Sequence, residues 1–216
     1  MELLQPKSAA DARRVGSREC KSVPDWTLAG DRVHVVQFYE NDNLLIELLS
    51  RFVGAALVTG DSAIVVATER HRLALAGRLR ARGFDLAVPE RQQRYIQFDA
   101  AATLAKFMRR GVPDPALFTE LVAPVIENAT RAAAGGRGRL AAFGEMVALL
   151  WADGKIDAAL QLEELWNRLA ETYAFSLCCA YPMSGFLGNP HAAPFLKICA
   201  QHSHVFPAER RTVAGS

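Results

Sequence analysis

Several signatures that would announce a function are missing from this chain. Its four cysteines, Cys20, Cys178, Cys179 and Cys199, include no CxxC pair, so the usual spacing of a redox or zinc-ribbon motif is absent. They read as reduced, buried thiols, and the adjacent Cys178 and Cys179 should face opposite ways on a strand. No apolar run is long enough to cross a bilayer, and the N-terminus has no apolar signal core; the expected location is cytoplasmic, with no membrane partner. Charge is balanced, 25 basic against 23 acidic residues for a net +2, which argues against direct nucleic-acid binding. No repeat of 20–50 residues points to a solenoid. Neither GxxxxGK[ST] nor GxGxxG follows any strand-like run, so no backbone cradle for phosphate is in view.

What is present is ample apolar material: half of the 216 residues are hydrophobic, enough for one sizeable α/β domain. Residues 1–30 show no sustained period and read as a flexible tail, 31–209 as the folded domain, and 210–216 as a C-terminal tail. Apolar runs mark strands at Val33–Phe38, Ser62–Thr68, Gln93–Phe98, Leu140–Phe143 and Phe175–Tyr181. Helical spacing of apolar residues fills the gaps, including Leu44 to Ala56, Glu69 to about Arg82 with Leu73, Leu75, Ala76 and Leu79 inward, Asp99 through Arg110, and about Ala116 to Ala133. Further helices follow at Met146–Trp151 and Lys155–Tyr173, and one after Pro190 and Pro194 runs to about His202. Gly135–Gly138 reads as a flexible turn. Alternating β and α elements imply a three-layer fold, a mainly parallel five-stranded sheet with helices on both faces.

Parallel strands bring their carboxyl ends to one edge, where open α/β sheets bind ligands. Tyr39, Glu40 and Asn41 follow the first strand, Thr68 the second, Asp99 the third, Glu145 the fourth and Tyr181 the fifth. With Phe143 and Met146 these form the candidate ligand-binding set. Tyr39, Phe143, Met146, Trp151 and Tyr181 can line an apolar pocket, or serve as ordinary core. Glu40 and Glu145 can orient a ligand, or Glu145 can simply stabilise a helix's first turn by about 0.3–1 kcal/mol.

No catalytic set emerges. Ser184, in Met183-Ser184-Gly185, lacks the first glycine of a nucleophile elbow. Cys199, His202 and His204 have zinc-compatible chemistry, but no fourth ligand is evident and helix-end histidines explain them as well; no metal or cofactor is assigned. His34 starts the first strand, away from the ligand edge, and reads as structural. Arg70, Arg72, Arg78, Arg80 and Arg82 make one helix basic, either a solvated face or a contact for an acidic partner. His71, between Arg70 and Arg72, lacks the acidic neighbour of a phosphoacceptor.

The segments HVVQFYEND (34–42), FGEMV (143–147) with Leu150-Trp151, LEELWN (162–167) and HSHVFPAE (202–209) together resemble the MEDS domain, the sensory domain of DcmR-type regulators of methanogens and methylotrophs. The resemblance spans about residues 31–209. It implies a RecA/KaiC-like core that has lost its phosphate loop. It also implies a non-enzymatic sensor of a small molecule, of hydrocarbon-derivative type, that signals to a regulatory protein such as a transcription factor or kinase. Glu145 would then stand where an ATPase keeps its metal-binding or water-activating acid. Many family members carry a fused DNA-binding or kinase unit; the length here leaves no room for one, so a stand-alone sensor acting through a partner is expected. The alternative is a degenerate RecA-like nucleotide-binding protein or ATPase.

Overall fold

A computed structural model describes residues 32–133, 138–186 and 192–207. Both expected tails, most of the glycine turn at 135–138, and Pro190 with His191 lie outside the described residues. Along the chain the strands are β1 (His34–Tyr39), β2 (Ser62–Ala67), β3 (Tyr95–Asp99), β4 (Met108–Arg109), β5 (Val112–Pro113), β6 (Leu140–Gly144), β7 (Ser176–Pro182) and β8 (His204–Phe206). The helices are α1 (Asp42–Val58), α2 (Glu69–Ala81), α3 (Ala87–Arg91), α4 (Ala100–Phe107), α5 (Pro115–Ala132), α6 (Met146–Ala152), α7 (Ile156–Thr172) and α8 (Ala192–Ala200).

Six of the strands form one sheet in the order β3-β2-β6-β7-β1-β8, parallel throughout. Its four inner strands, β2, β6, β7 and β1, are buried on both sides, and alternate residues feed two separate cores. Val36, Phe38, Ile64, Val66, Ala142, Cys179 and Tyr181 pack under α4–α8. Val35, Tyr39, Val65, Phe143, Cys178 and Ala180 pack under α1 and α2. Cys178 and Cys179 thus face opposite ways, both buried as reduced thiols.

The sheet has six strands rather than five. The addition, β8, is three residues long, pairs only with β1 and is largely exposed, so it carries no apolar period to read. The helix expected through Arg110 stops at Phe107. Asp99 caps its start through Ala102 N–H, and the chain then turns in a tight hairpin, β4-β5. Arg110 and Gly111 both have positive φ, 52° and 88°, the two-residue turn whose twist suits a hairpin. Leu73, expected inward, is 67% exposed; Leu75, Ala76 and Leu79 are the apolar residues that α2 buries.

Candidate functional site

Glu145 follows β6 at the carboxyl edge of the sheet and is 5% exposed. It occupies the N-cap position of α6 but makes no capping hydrogen bond there. Its backbone N–H donates to Val66 O, and its carboxylate turns toward the neighbouring β2–α2 connection. Oε2 accepts from Thr68 N–H at 2.8 Å. Oε1 lies 2.7 Å from His71 Nδ1. The other ring nitrogen of His71 is 3.3 Å from Asp42 Oδ1 at the start of α1. Asp42 in turn pairs with Arg70 at the surface. A buried acid, a buried imidazole and a half-exposed acid therefore form a chain from the sheet edge to solvent. The hydrogen bond that His71 donates to Glu145 raises the pKa of His71, against the opposing effect of burial, and the charges of the two carboxylates add to it. Tyr39, buried beside this chain, has its phenol pushed up by burial and then by the charges of Glu145 and Asp42.

The acids that His71 lacks in sequence thus reach it through space, 74 residues along the chain in the case of Glu145. The basic helix is also less free than its sequence suggests. Arg70 meets Asp42, Arg72 meets Asp99 at 3.2 Å and Ala67 O, Arg78 meets Glu47, and Arg82 donates to Ser50. These contacts tie α2 to α1 and β3, although exposed pairs of this kind add little stability each.

Below the edge, on the opposite face of the sheet, an apolar cavity of about 50 Å³ lies between β2, β3 and β6 and helices α4, α5 and α7. Val66, Phe98, Val125, Ile126, Met146 and Trp166 are among its walls, with Thr103 and Lys106 as its polar members. Phe143 also borders it, although its ring belongs to the opposite core. Trp166 Nε1 is buried without a hydrogen-bond partner.

The nine residues expected to share one pocket fall into separate places. Tyr39, Thr68 and Glu145 meet at the carboxylate–imidazole chain. Phe143 and Met146 border the cavity. Glu40 is exposed, and Asn41 caps α1 by accepting from Leu44 N–H. Asp99 caps α4 and pairs with Arg72, and the Ala102 N–H bond holds its carboxyl below the usual range. Tyr181 lies inside β7, fully buried, and donates its hydroxyl to Glu163 at 2.7 Å. His71, Asp42, Thr103 and Trp166 are the members that sequence reasoning did not place here. An acid and a histidine at different strand ends carry no mutual signal until the strand order is known.

A second polar cluster is buried near the opposite end of β1. His34, 8% exposed, stands beside Glu163 of α7, Cys179 of β7 and His202 after α8. Burial works to raise the Glu163 pKa, but the His202 and His34 imidazoles outweigh it and hold the carboxyl below its ordinary range. The Cys179 thiol is pushed well up by burial and by the Glu163 charge. Cys199, His202 and His204, zinc-compatible in sequence but not assigned as a site, do not group: His204 is exposed, and the cluster around His202 contains neither of the other two.

The geometry defines a parallel α/β domain whose carboxyl edge holds a carboxylate–imidazole chain above a small apolar cavity. Residues 33–190 match the family model described as MEDS, the MEthanogen/methylotroph, DcmR Sensory domain, and the chain belongs to that family. No curated protein matches it. Among the described residues, no helix is long and apolar enough to cross a membrane.

Proposed function

We propose that this domain senses a small apolar molecule in the cavity beneath Met146, does no chemistry on it, and passes the signal to a regulatory protein such as a transcription factor or histidine kinase. Family membership supports a sensory and signalling role. The observation that carries the ligand reading is the position of the cavity. Met146 in its wall directly follows Glu145, which is held by Thr68 and His71. An occupant that moves Met146 disturbs the hydrogen bonds of Glu145, and through His71 and Asp42 the disturbance reaches the surface at Arg70.

Size limits the occupant. A single water needs about 10–15 Å³ by the same measure, so about 50 Å³ admits a molecule of a few heavy atoms. Burial contributes about 0.8 kcal/mol per CH₂, so a three-carbon ligand binds in the millimolar range or more weakly. Short alcohols and halogenated methanes at tens of millimolar are the fitting probes. They should raise the thermal midpoint of the protein, since a ligand of the native state stabilises by mass action. Val125→Phe, which fills the cavity from α5, should abolish the shift. No shift with any probe, or an equal shift in Val125→Phe, counts against the reading.

The second reading, a nucleotide-binding protein or ATPase, would place phosphate beside Glu40, Asp42 and Glu145, three acids with no glycine or lysine in the turn after β1. Calorimetry with ATP or GTP and magnesium distinguishes the two; binding at millimolar nucleotide would favour this second reading.

A further inference from the structure

We infer that His34, Glu163, Cys179 and His202 form a closed binding site for one transition-metal ion, zinc by the chemistry of the donors. The four side chains come from β1, α7, β7 and the segment after α8. One ligand atom from each lies within 4.8 Å of all the others, and all four residues are buried. Among the described residues, no other such group of metal-binding side chains is found.

Four of the six donor-to-donor distances match tetrahedral coordination, and the other two lie within 4.8 Å. Zinc bonds of about 2.0–2.1 Å to nitrogen or oxygen and about 2.3 Å to sulfur set donor-to-donor edges of roughly 3.3–3.6 Å. His34 Nε2 is 3.3 Å from Glu163 Oε2 and 3.4 Å from Cys179 Sγ. Cys179 Sγ is 3.3 Å from Glu163 Oε2, and His202 Nε2 is 3.5 Å from the same oxygen.

The surrounding hydrogen bonds aim the donors inward. Asn167 donates through Nδ2 to Gln201 O and Oε1, which leaves its Oδ1 as the acceptor for His34 Nδ1–H at 2.8 Å. His202 Nδ1–H donates to Ile198 O at 2.7 Å. Both imidazoles are thereby fixed as Nδ1–H tautomers with Nε2 toward the centre, the second contact by which metal-binding histidines are oriented. Tyr181 O–H satisfies the outer oxygen of Glu163. His202 Nε2 is buried and has no hydrogen-bond partner. Neutral imidazoles would point two lone pairs at a carboxylate, an arrangement that a central cation stabilises.

With four protein ligands and no open position, the site is of the structural type. The metal would fasten α7 and the chain end beyond α8 to β1 and β7. His34, Asn167 and His202 also line a surface depression, which provides a path of entry. His202 lies outside the segment matched by the family, so the site depends on the chain beyond it.

Chelator-stripped wild-type protein titrated with cobalt(II) should bind one ion per chain, with a thiolate-to-cobalt charge-transfer band and the strong visible bands of tetrahedral cobalt. Zinc should displace it and raise the thermal midpoint. Cys179→Ser should lose the charge-transfer band, and His202→Ala the tetrahedral spectrum. Cys199→Ser and His204→Ala should retain both. Asn167→Ala, which removes the orienting contact on His34 together with the bonds to Gln201, should weaken zinc binding by about 10–100-fold. The wild-type spectrum requires no variant to fold. Absence of the thiolate band in the wild type, or its persistence in Cys179→Ser, overturns the assignment.

Discussion

His71 Nδ1 meets Glu145 Oε1 at 2.7 Å in a place where both side chains are almost fully buried, 4% and 6% exposed. A helix and a strand end that are distant in sequence are joined there by one charge-assisted hydrogen bond. Glu145 also accepts Thr68 N–H, so one carboxylate fixes the β2–α2 connection against the end of β6.

Replacing Glu145 tests that linkage. Glu145→Ala leaves a buried imidazole and a backbone N–H without their partner, and breaking a buried pair typically costs about 3–5 kcal/mol. Glu145→Gln keeps an acceptor for Thr68 N–H and should lose less. Urea unfolding of the two variants measures the difference. A loss for Glu145→Ala within about 0.5 kcal/mol of zero would mean that the acid does not hold the edge.

The same pair sets a pH dependence. The hydrogen bond to Glu145 is the largest influence on His71 and raises its pKa above the ordinary 6.5. The folded state therefore binds the proton more tightly than the unfolded chain does. The resulting stability is complete below about pH 6.5 and declines as pH rises through the raised value. Chemical denaturation across pH 5.5 to 9 should show this decline in the wild type and not in His71→Gln.

Trp166 provides a reporter of the cavity. It borders the empty volume, and its Nε1 is buried with no hydrogen-bond partner. A probe that enters should change its fluorescence. Trp166→Phe should remove the change at a modest cost in stability, because the lost ring area is offset by removal of an unsatisfied donor. A fluorescence response that survives in Trp166→Phe would place the probe elsewhere.

Gly185 is closed to side chains. A Cβ there would lie 3.0 Å from Trp151 Cδ1 and 3.1 Å from Nε1, while Trp151 Nε1–H donates to Gly185 O at 2.8 Å. The ring would have to give by a few tenths of an ångström against the pull of its own hydrogen bond. Gly185→Ala should destabilise by about 1–3 kcal/mol, as overpacking does, and thermal unfolding reads it directly.

The sequence by itself determined the alternation of elements. Five strands stand out from the helices between them, and runs such as SAIVVA and LAAFG carry an apolar pattern on both faces without help from the rest of the chain. It also determined that Glu145 stands at a strand's end, and its motifs carried the family. It did not determine β8 or the β4-β5 hairpin. These are two or three residues long, held by backbone pairing and by positive φ at Arg110 and Gly111, and neither feature leaves a hydrophobic period.

Only the tertiary structure decided who meets whom. The strand order sets β6 beside β2, and this brings Glu145 to His71. It sets β7 beside β1, and this brings Cys179 to His34, 145 residues apart. Such pairings depend on the lateral order of strands, whereas periodicity records only which face of each strand is buried. For that reason His34 and His71, neither with an acidic partner in its own segment, read as isolated in the sequence and stand in buried polar clusters of the fold.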